Sequence, residues 1–218
     1  MGNISAQAAR GLQCLCLQMQ VAGFAPLSAT SGQDAIMMIP IATLTRDALQ
    51  TLRVDAIGYG AKDTGEMGGG AAASVSTAAG PELLAALRSK LSNSSLRVGD
   101  VVITDSFRLQ TSGIRWVAHI VSIIKHTAQG AYCPEPERLR EGVSKALSAV
   151  SKLGARSIAI SALGTGEGRV EPRAAARYMF GGVRLFRAAE PHAPLEVTFS
   201  LPSYRDYEAF AASLAEMS

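Results

Sequence analysis

The stretch GEMGGGAAASV, residues 65–75, decides what kind of fold this chain adopts. It contains three consecutive glycines, Gly68 to Gly70, which three alanines follow. A glycine run costs backbone entropy on folding and contributes no side chains to a core. Such a run is typical of a place where another group approaches the main chain closely, and we interpret residues 65–75 in that way.

A second glycine-rich loop, GTGEG at residues 164–168, has an equivalent place farther along the chain. The apolar stretch VDAI (54–57) precedes the first loop and SIAISAL (157–163) precedes the second, and both are typical of buried strands. In open α/β sheets, ligands bind at the carboxyl ends of the strands, where N–H groups of glycine-rich turns bind anions. The two loops together predict a site that holds a diphosphate from both sides. Each loop alone is also compatible with a simple tight turn.

Two familiar nucleotide-binding motifs are missing from the sequence. GxxxxGK[ST] is absent, and GTGEGR lacks the last glycine of GxGxxG. These absences argue against a Walker-type ATPase and against a standard dinucleotide-binding fold.

Length and composition indicate one globular α/β domain of 218 residues, 48% hydrophobic and 18% charged. The net charge of +3 suits an anionic small ligand and is too weak to indicate nucleic acid binding. No apolar run reaches the ~20 residues of a membrane span, and no secretory signal is evident. The three cysteines, Cys14, Cys16 and Cys133, show no disulfide or zinc pattern, so we expect a reducing compartment, the cytoplasm.

Hydrophobic periodicity predicts alternating strands and helices in the second half of the chain, which favours a parallel or mixed sheet covered by helices on both faces. His119 and Trp116 lie in an apolar strand pattern and are expected in the core. The predicted strands are residues 12–21 (or a helix from Ala6), 35–41, 54–57, 101–104, 115–124, 157–163 and 195–201, and the predicted helices start at 81, 136, 171 and 204.

Four segments follow one another in a recognisable order: VDAIGYGAKDTGEMGGGAAASVSTAAGPEL (54–83), RVGDVVIT (97–104), RWVAHIVS (115–122) and SIAISALGTGEG (157–168). This series resembles the macrodomain family, the ADP-ribose-binding (Appr-1''-p processing-like) module. The resemblance implies a three-layer α/β/α fold with a central mixed sheet over residues 35–218. Residues 1–34 are then an N-terminal extension, a strand or helix packed on the domain.

The resemblance also implies which residues bind ADP-ribose, with no metal and no cofactor. The glycine run passes close to the distal ribose and the diphosphate, and the second loop closes over the diphosphate from the other side. The implied binding residues are Ile57, Lys62, Gly68, Gly69, Gly70, Ala71, Leu163, Gly164, Thr165, Gly166, Glu167 and Gly168.

Departures from the family pattern bear on the chemistry. The NAAN segment of the family falls on residues 59–62, so Lys62 replaces the asparagine that contacts the distal ribose. Ala72 stands where common hydrolases of the family carry an aspartate, and Gly168 stands where they carry an aromatic residue. The aspartate that holds the adenine is not evident in PIATLTR (40–46), and Tyr204 is either the adenine-stacking residue or part of the core.

Three functions follow as hypotheses. The first is a reader or sensor that binds ADP-ribose, free or on a modified protein, alone or within a larger assembly. The second is an ADP-ribosyl hydrolase, acting on modified proteins or on O-acetyl-ADP-ribose, whose catalytic candidates are Lys62, Asp63 and Glu167. We favour the alternative that the carboxylates are surface groups that cap loops. The third is a macrodomain-like interaction module without nucleotide binding. We favour the first, and whether the protein is an enzyme stays open.

Overall fold

The computed structural model describes residues 41–91, 96–126 and 130–217. The predicted strand or helix at 12–21 and the N-terminal extension 1–34 lie outside these residues, as does all of the predicted strand 35–41 except Ile41.

The described residues form seven strands and five α-helices, most of them where the sequence predicts an element. The strands are β1 (Thr43–Thr45), β2 (Ala56–Lys62), β3 (Val101–Asp105), β4 (Trp116–His126), β5 (Gly130–Tyr132), β6 (Ser157–Ser161) and β7 (Glu196–Ser200). The helices are α1 (Gly70–Ala79), α2 (Pro81–Leu91), α3 (Leu139–Lys152), α4 (Pro172–Ala189) and α5 (Tyr204–Ala215). Three short 3-10 helices cover Leu49–Thr51, Phe107–Ser112 and Pro136–Arg138.

A mixed sheet of order β1-β7-β6-β2-β4-β3 forms the centre of the domain. Strands β1, β7, β6, β2 and β4 run parallel, whereas β3 and β5 pair with β4 in the antiparallel sense. The carboxyl ends of five strands therefore meet at one edge of the sheet. This confirms the predicted mixed sheet and places the ends of β2 and β6, which the two glycine loops follow, side by side.

Alternating side chains of the sheet divide the core into two layers, as the period of two in a strand requires. Ile158 and Ile160 of β6 pack with helices α3, α4 and α5 on one face, whereas Ala159 faces the cluster of α1 and α2 on the other. The protein thus has the predicted three-layer α/β/α fold. His119 is buried as predicted, whereas Trp116 is only half-buried, with the guanidinium of Arg115 4.1 Å from its ring centroid.

Strands β1 (Thr43–Thr45) and β5 (Gly130–Tyr132) have no counterpart among the predicted strands. Two further elements differ from the sequence prediction, and both border the glycine run. Strand β2 continues through Gly58, Tyr59 and Gly60 to Lys62, because its backbone pairs with β4 along its whole length. Helix α1 begins inside the run, at Gly70, where the sequence predicted only a loop. The alanines that follow have the highest helix propensity of all residues, which outweighs one glycine at the first turn. Gly80, at a φ of +92°, then separates α1 from α2.

Candidate functional site

A two-part cleft opens at the carboxyl edge of the sheet, between the two glycine loops. The smaller cavity, of about 230 Å³, lies above β2, β4 and β6. The larger cavity, of about 480 Å³, lies above β6 and β7 and reaches the start of α5. Five residues line both cavities: Gly70, Ala71, Ser161, Ala162 and Gly166. These five residues are all small, and we call the place where they border both cavities the narrow part of the cleft.

The first glycine loop leaves its backbone accessible from the cleft. A Cβ atom on Gly68 or Gly70 would meet no heavy atom of the described residues within 4 Å. Packing within this part of the protein therefore does not require glycine there, although the φ of +53° at Gly70 does favour it. The open space in front of these glycines agrees with the interpretation that a bound group approaches the main chain.

Helix α1 adds an anion-binding feature to this loop. The first amides of a helix have no partner within the helix, and the helix dipole places positive partial charge there. Gly70 and Ala71 form this first turn and line both cavities. Helix N-termini with this placement bind phosphate groups.

The second loop is shaped by contacts between its own residues. A Cβ atom on Gly168 would lie 2.6 Å from the carbonyl oxygen of Gly164, so only glycine allows this approach. The N–H of Val170 donates to that same carbonyl, and the N–H of Arg169 donates to the carbonyl of Gly166. This folding directs Gly166 toward both cavities, whereas Gly168 contacts the backbone of Cys133 behind the loop.

An ion pair joins the end of β2 to the second glycine loop beside the smaller cavity. Nζ of Lys62, the last residue of β2, lies 2.8 Å from Oε2 of Glu167 in the second loop. The Lys62 side chain is 15% exposed and that of Glu167 is 45% exposed, so the pair lies at the rim. A Cβ atom on Gly69 would be 2.9 Å from Oε1 of Glu167, which places this carboxylate against the glycine run.

The structure brings together most of the predicted binding residues. Those that line a cavity are Lys62, Gly68, Gly69, Gly70, Ala71, Gly164, Thr165, Gly166 and Glu167. Ile57 and Leu163 are fully buried in the two core layers, and neither lines a cavity. Gly168 lies behind the loop, and neither cavity includes it.

Of the catalytic candidates, Lys62 and Glu167 are adjacent, whereas Asp63 is not part of either cavity lining. The N–H of Asp63 donates to the carbonyl of Ile123, which fixes the chain beside β4. Ala72, at the position of the family aspartate, lines the smaller cavity with a methyl group that can neither take nor donate a proton. Glu66, also in this lining, adds a second carboxylate.

One candidate residue escaped the sequence analysis. Asp47 lies two residues after the end of β1, and its carboxylate accepts a hydrogen bond from Oγ1 of Thr45. The next residues, Ala48 to Gln50, line the larger cavity. An aspartate shortly after the first strand of the domain could have indicated it. The sequence prediction placed that strand too early, at 35–41, and so looked for the aspartate before residue 47. Tyr204 is 61% exposed, so its interpretation as a core residue is wrong; it lies beside the Arg46 guanidinium and lines neither cavity.

A buried hydrogen-bonded chain supports the sheet under this edge. The hydroxyl of Tyr59 lies 2.5 Å from Nδ1 of His119, and Oγ1 of Thr104 lies 2.8 Å from Nε2. Burial, and next the charge of Lys90, lowers the pKa of His119 to about 3, and burial raises the pKa of Tyr59. Both side chains are therefore neutral at pH 7 and hold β2, β4 and β3 together without carrying charge.

Comparison with known proteins identifies this arrangement. The family model of the macro domain matches residues 60–179, more than half of the chain, including both glycine loops. The chain belongs to the macro domain family. An uncharacterised protein of Thermococcus kodakarensis is 33% identical over 87 residues, which are 37% of this chain and 44% of that protein. The match thus spans less than half the length of that relative.

Two solved macrodomain structures are similar to this one. An Oceanobacillus iheyensis macrodomain with ADP is 26% identical, with a TM-score of 0.68 and coverage of 80% of this chain and 90% of that one. A Trypanosoma brucei macrodomain in complex with ADP-ribose is 26% identical, with a TM-score of 0.63 over 78% of this chain and 67% of that one.

Within residues 41–91, 96–126 and 130–217, no three His, Cys, Asp or Glu residues form a group that suits a metal ion. In the same ranges, no helix has both the length and the apolar character that crossing a membrane requires.

Proposed function

We propose that this macrodomain binds ADP-ribose, free or attached to a modified protein, and acts as a reader of that group. The observation that supports this most strongly is the narrow part of the cleft, where Gly70 and Ala71 of one loop face Gly166 of the other. Main-chain N–H groups without side chains in front of them suit a diphosphate, whose oxygens need several donors at close range. The relatives with ADP and ADP-ribose support the same ligand class.

Each of the two cavities suits one end of the ligand. The larger cavity suits adenosine, and we propose Asp47 as the acceptor for the adenine amino group, since it directly precedes the lining residues Ala48 to Gln50. The smaller cavity then holds the distal ribose beside Lys62, whose ammonium donates to hydroxyl or phosphate oxygens.

A reader is favoured over a hydrolase because Ala72 stands at the position where common hydrolases of the family carry an aspartate, and the carboxylates of the smaller cavity, Glu66 and Glu167, come from other positions. A hydrolase stays a second candidate through one observation, the Lys62–Glu167 pair at the rim of that cavity. Incubation with a mono-ADP-ribosylated protein or with O-acetyl-ADP-ribose tests it. Turnover that disappears in Glu167→Gln would support the hydrolase, and the absence of turnover at micromolar enzyme would leave the reader.

Isothermal titration calorimetry with ADP-ribose tests the proposed function. We expect saturable binding that weakens when Gly166→Val fills the narrow part of the cleft; a Cβ atom on Gly166 would meet no described heavy atom within 4 Å, so the fold should tolerate the change. The control is Glu196→Gln, at the end of β7 that lies away from the cleft. Gly154→Val would not serve as a control, because the φ of +85° at Gly154 disfavours any other residue. An absence of heat at millimolar ADP-ribose would contradict the proposal.

We further propose an ADP-ribosylated protein as the natural partner, either encountered in the cytoplasm or present in an assembly that includes this domain. We expect no metal, nucleic acid or membrane in this role. The domain is proposed to cover residues 35–218, with residues 1–34 as its extension. A pull-down on ADP-ribosylated and unmodified forms of one protein tests the partner class.

A further inference from the structure

The larger cavity contains a carboxylate, that of Asp206, which lies in the first turn of α5. No other residue in the lining that the structure describes carries a charge. Two contacts fix Asp206 in this place. Its N–H donates to Oγ of the N-cap residue Ser203 at 3.4 Å, and its Oδ2 accepts a hydrogen bond from Oγ1 of Thr165 at 3.1 Å. The carboxylate therefore has a defined position on the wall of the cavity proposed for adenosine.

The other oxygen of this carboxylate is available to a ligand. Among the described residues, no group donates a hydrogen bond to Oδ1 of Asp206, and no Lys, Arg or His forms an ion pair with this carboxylate. Arg205, beside it in the chain, and Arg46, beside the start of α5, line neither cavity. A carboxylate accepts hydrogen bonds and donates none, so it suits a ligand group that donates.

The position of Asp206 along the cleft indicates which part of the ligand it meets. Its partner Thr165 precedes Gly166, which borders the narrow part proposed for the diphosphate, whereas Ala48 to Gln50 border the part proposed for the adenine. In adenosine the ribose joins these two groups, so its hydroxyls come beside Thr165 and Asp206. A ribose hydroxyl donates to a carboxylate, and the charge strengthens this hydrogen bond.

A phosphate on that ribose would meet the same carboxylate unfavourably. A phosphate monoester carries about 1.5 to 2 negative charges at pH 7, and its oxygens are strong acceptors. Dinucleotide-binding folds use the same chemistry: an acidic residue holds a free 2′-hydroxyl of the ribose, whereas an arginine accommodates a 2′-phosphate. The larger cavity contains the acidic residue Asp206, and its described lining contains no arginine.

We infer that Asp206, oriented by Thr165, makes this site select adenosine diphosphate ligands with free ribose hydroxyls over those that carry a 2′-phosphate on the adenosine. This inference rests on the proposed function and adds a selectivity determinant at the adenosine end of the cleft. Ser203 and Thr165 fix the carboxylate but carry no charge, so the discrimination depends on Asp206.

The test compares the affinities for ADP-ribose and for ADP-ribose 2′-phosphate, measured by calorimetry, in the unmodified protein and in Asp206→Asn. The asparagine keeps the size of the side chain and an acceptor for Thr165, and it removes the charge. We expect the unmodified protein to prefer ADP-ribose by roughly tenfold or more. This preference should fall by roughly tenfold in Asp206→Asn, mainly because the 2′-phosphate ligand binds more tightly. Glu208→Gln removes the same charge at an exposed position of α5 that lines neither cavity, and it should leave the preference unchanged.

A second variant keeps the inference testable if Asp206→Asn fails to fold. Asp206→Ser removes the charge with a smaller side chain and should lower the preference in the same direction. Three results would overturn the inference while the proposed function stands: equal affinities of the unmodified protein for the two ligands, an unchanged preference in the Asp206 variants, or an equal change in Glu208→Gln. If the unmodified protein binds neither ligand, the proposed function itself is wrong and the inference falls with it.

Discussion

The hydroxyl of Tyr59 and Nδ1 of His119 lie 2.5 Å apart across the β2–β4 pair, directly under the end of the sheet that forms the cleft. Both residues are buried, and Thr104 completes the chain from β3. Strand β2 ends at Lys62, three residues beyond Tyr59 in the same strand. This buried contact therefore adds to the backbone pairing that holds β2, and with it Lys62, beside β4.

Tyr59→Phe should lower the free energy of unfolding by about 1–3 kcal/mol, because it leaves a buried imidazole nitrogen without its partner. Urea denaturation followed by circular dichroism measures this change. Tyr207→Phe, at a half-buried position on α5, is the matched control and should cost less. Equal losses in the two variants would show that the hydrogen bond adds nothing.

The buried His119 should make the protein lose stability as the pH falls below 6.5. Its pKa is lowered from 6.5 to about 3 in the folded state, so the unfolded chain binds a proton that the folded chain does not. The stabilisation is complete above pH 6.5 and is lost progressively down to about pH 3, with a slope of at most ~1.4 kcal/mol per pH unit. The free energy of unfolding, measured between pH 7 and pH 5, should fall less steeply with pH in His119→Gln than in the unmodified protein. His192→Gln, which removes an exposed imidazole, is the control, and identical slopes in His119→Gln and the unmodified protein would refute the assignment.

Substitutions at two glycines of the second loop should have different effects, one on stability and the other on ligand affinity. Gly168→Ala places a Cβ atom 2.6 Å from the Gly164 carbonyl oxygen, so it should reduce stability by about 1–3 kcal/mol. Gly166→Ala points into open space, so the melting temperature should stay within a few degrees while the affinity for ADP-ribose falls. Thermal unfolding and calorimetry on both variants separate the two effects. Destabilisation by Gly166→Ala as large as that by Gly168→Ala would contradict the loop geometry.

Asp55 should stabilise the end of the sheet opposite the cleft. Its carboxylate accepts hydrogen bonds from the N–H of Arg156 and from the Arg115 guanidinium, at 2.7 Å and 2.9 Å. Burial acts to raise the pKa of Asp55, but the Arg156 N–H, the Arg115 charge and the Ser157 N–H together outweigh it and lower that pKa below 3.8.

Asp55→Asn should therefore cost about 1–3 kcal/mol at pH 7. Because the folded-state pKa is lowered, this stabilisation is complete above about pH 3.8 and is lost as the pH falls through the folded value. Denaturant unfolding at pH 7 and pH 3 measures the free energy of unfolding of Asp55→Asn and of the unmodified protein. The difference between the two should be smaller at pH 3 than at pH 7. Asp105→Asn, at an exposed position, is the control; a difference that widens at pH 3 would have the wrong sign.

The sequence predicted those parts of the fold that depend on local patterns. Helix α4 starts at Pro172 behind the capping side chain of Glu171, as the dipeptide Glu-Pro suggested, and the apolar spacing of residues 139–150 gave α3. Helix α1 was missed because glycine propensity argues for a loop, whereas the full extent of β2 depends on its pairing with β4.

In the site, the sequence indicated the two glycine loops because their composition alone marks places where the main chain carries no side chains. The contact between Lys62 and Glu167 has no sequence signal, since it arises only when β2 and β6 become neighbours. The ligand contact at Gly168 stays a prediction, and the structure adds a reason for glycine there that the sequence did not show, since a Cβ atom would lie 2.6 Å from the carbonyl oxygen of Gly164.

A crystal structure of the protein with ADP-ribose bound tests the central claim most directly. The account predicts the diphosphate between the first turn of α1 and Gly166, the adenine in the larger cavity, and the distal ribose beside Lys62 and Glu167. A ligand that binds outside this cleft, or a diphosphate that contacts only one of the two glycine loops, would contradict it.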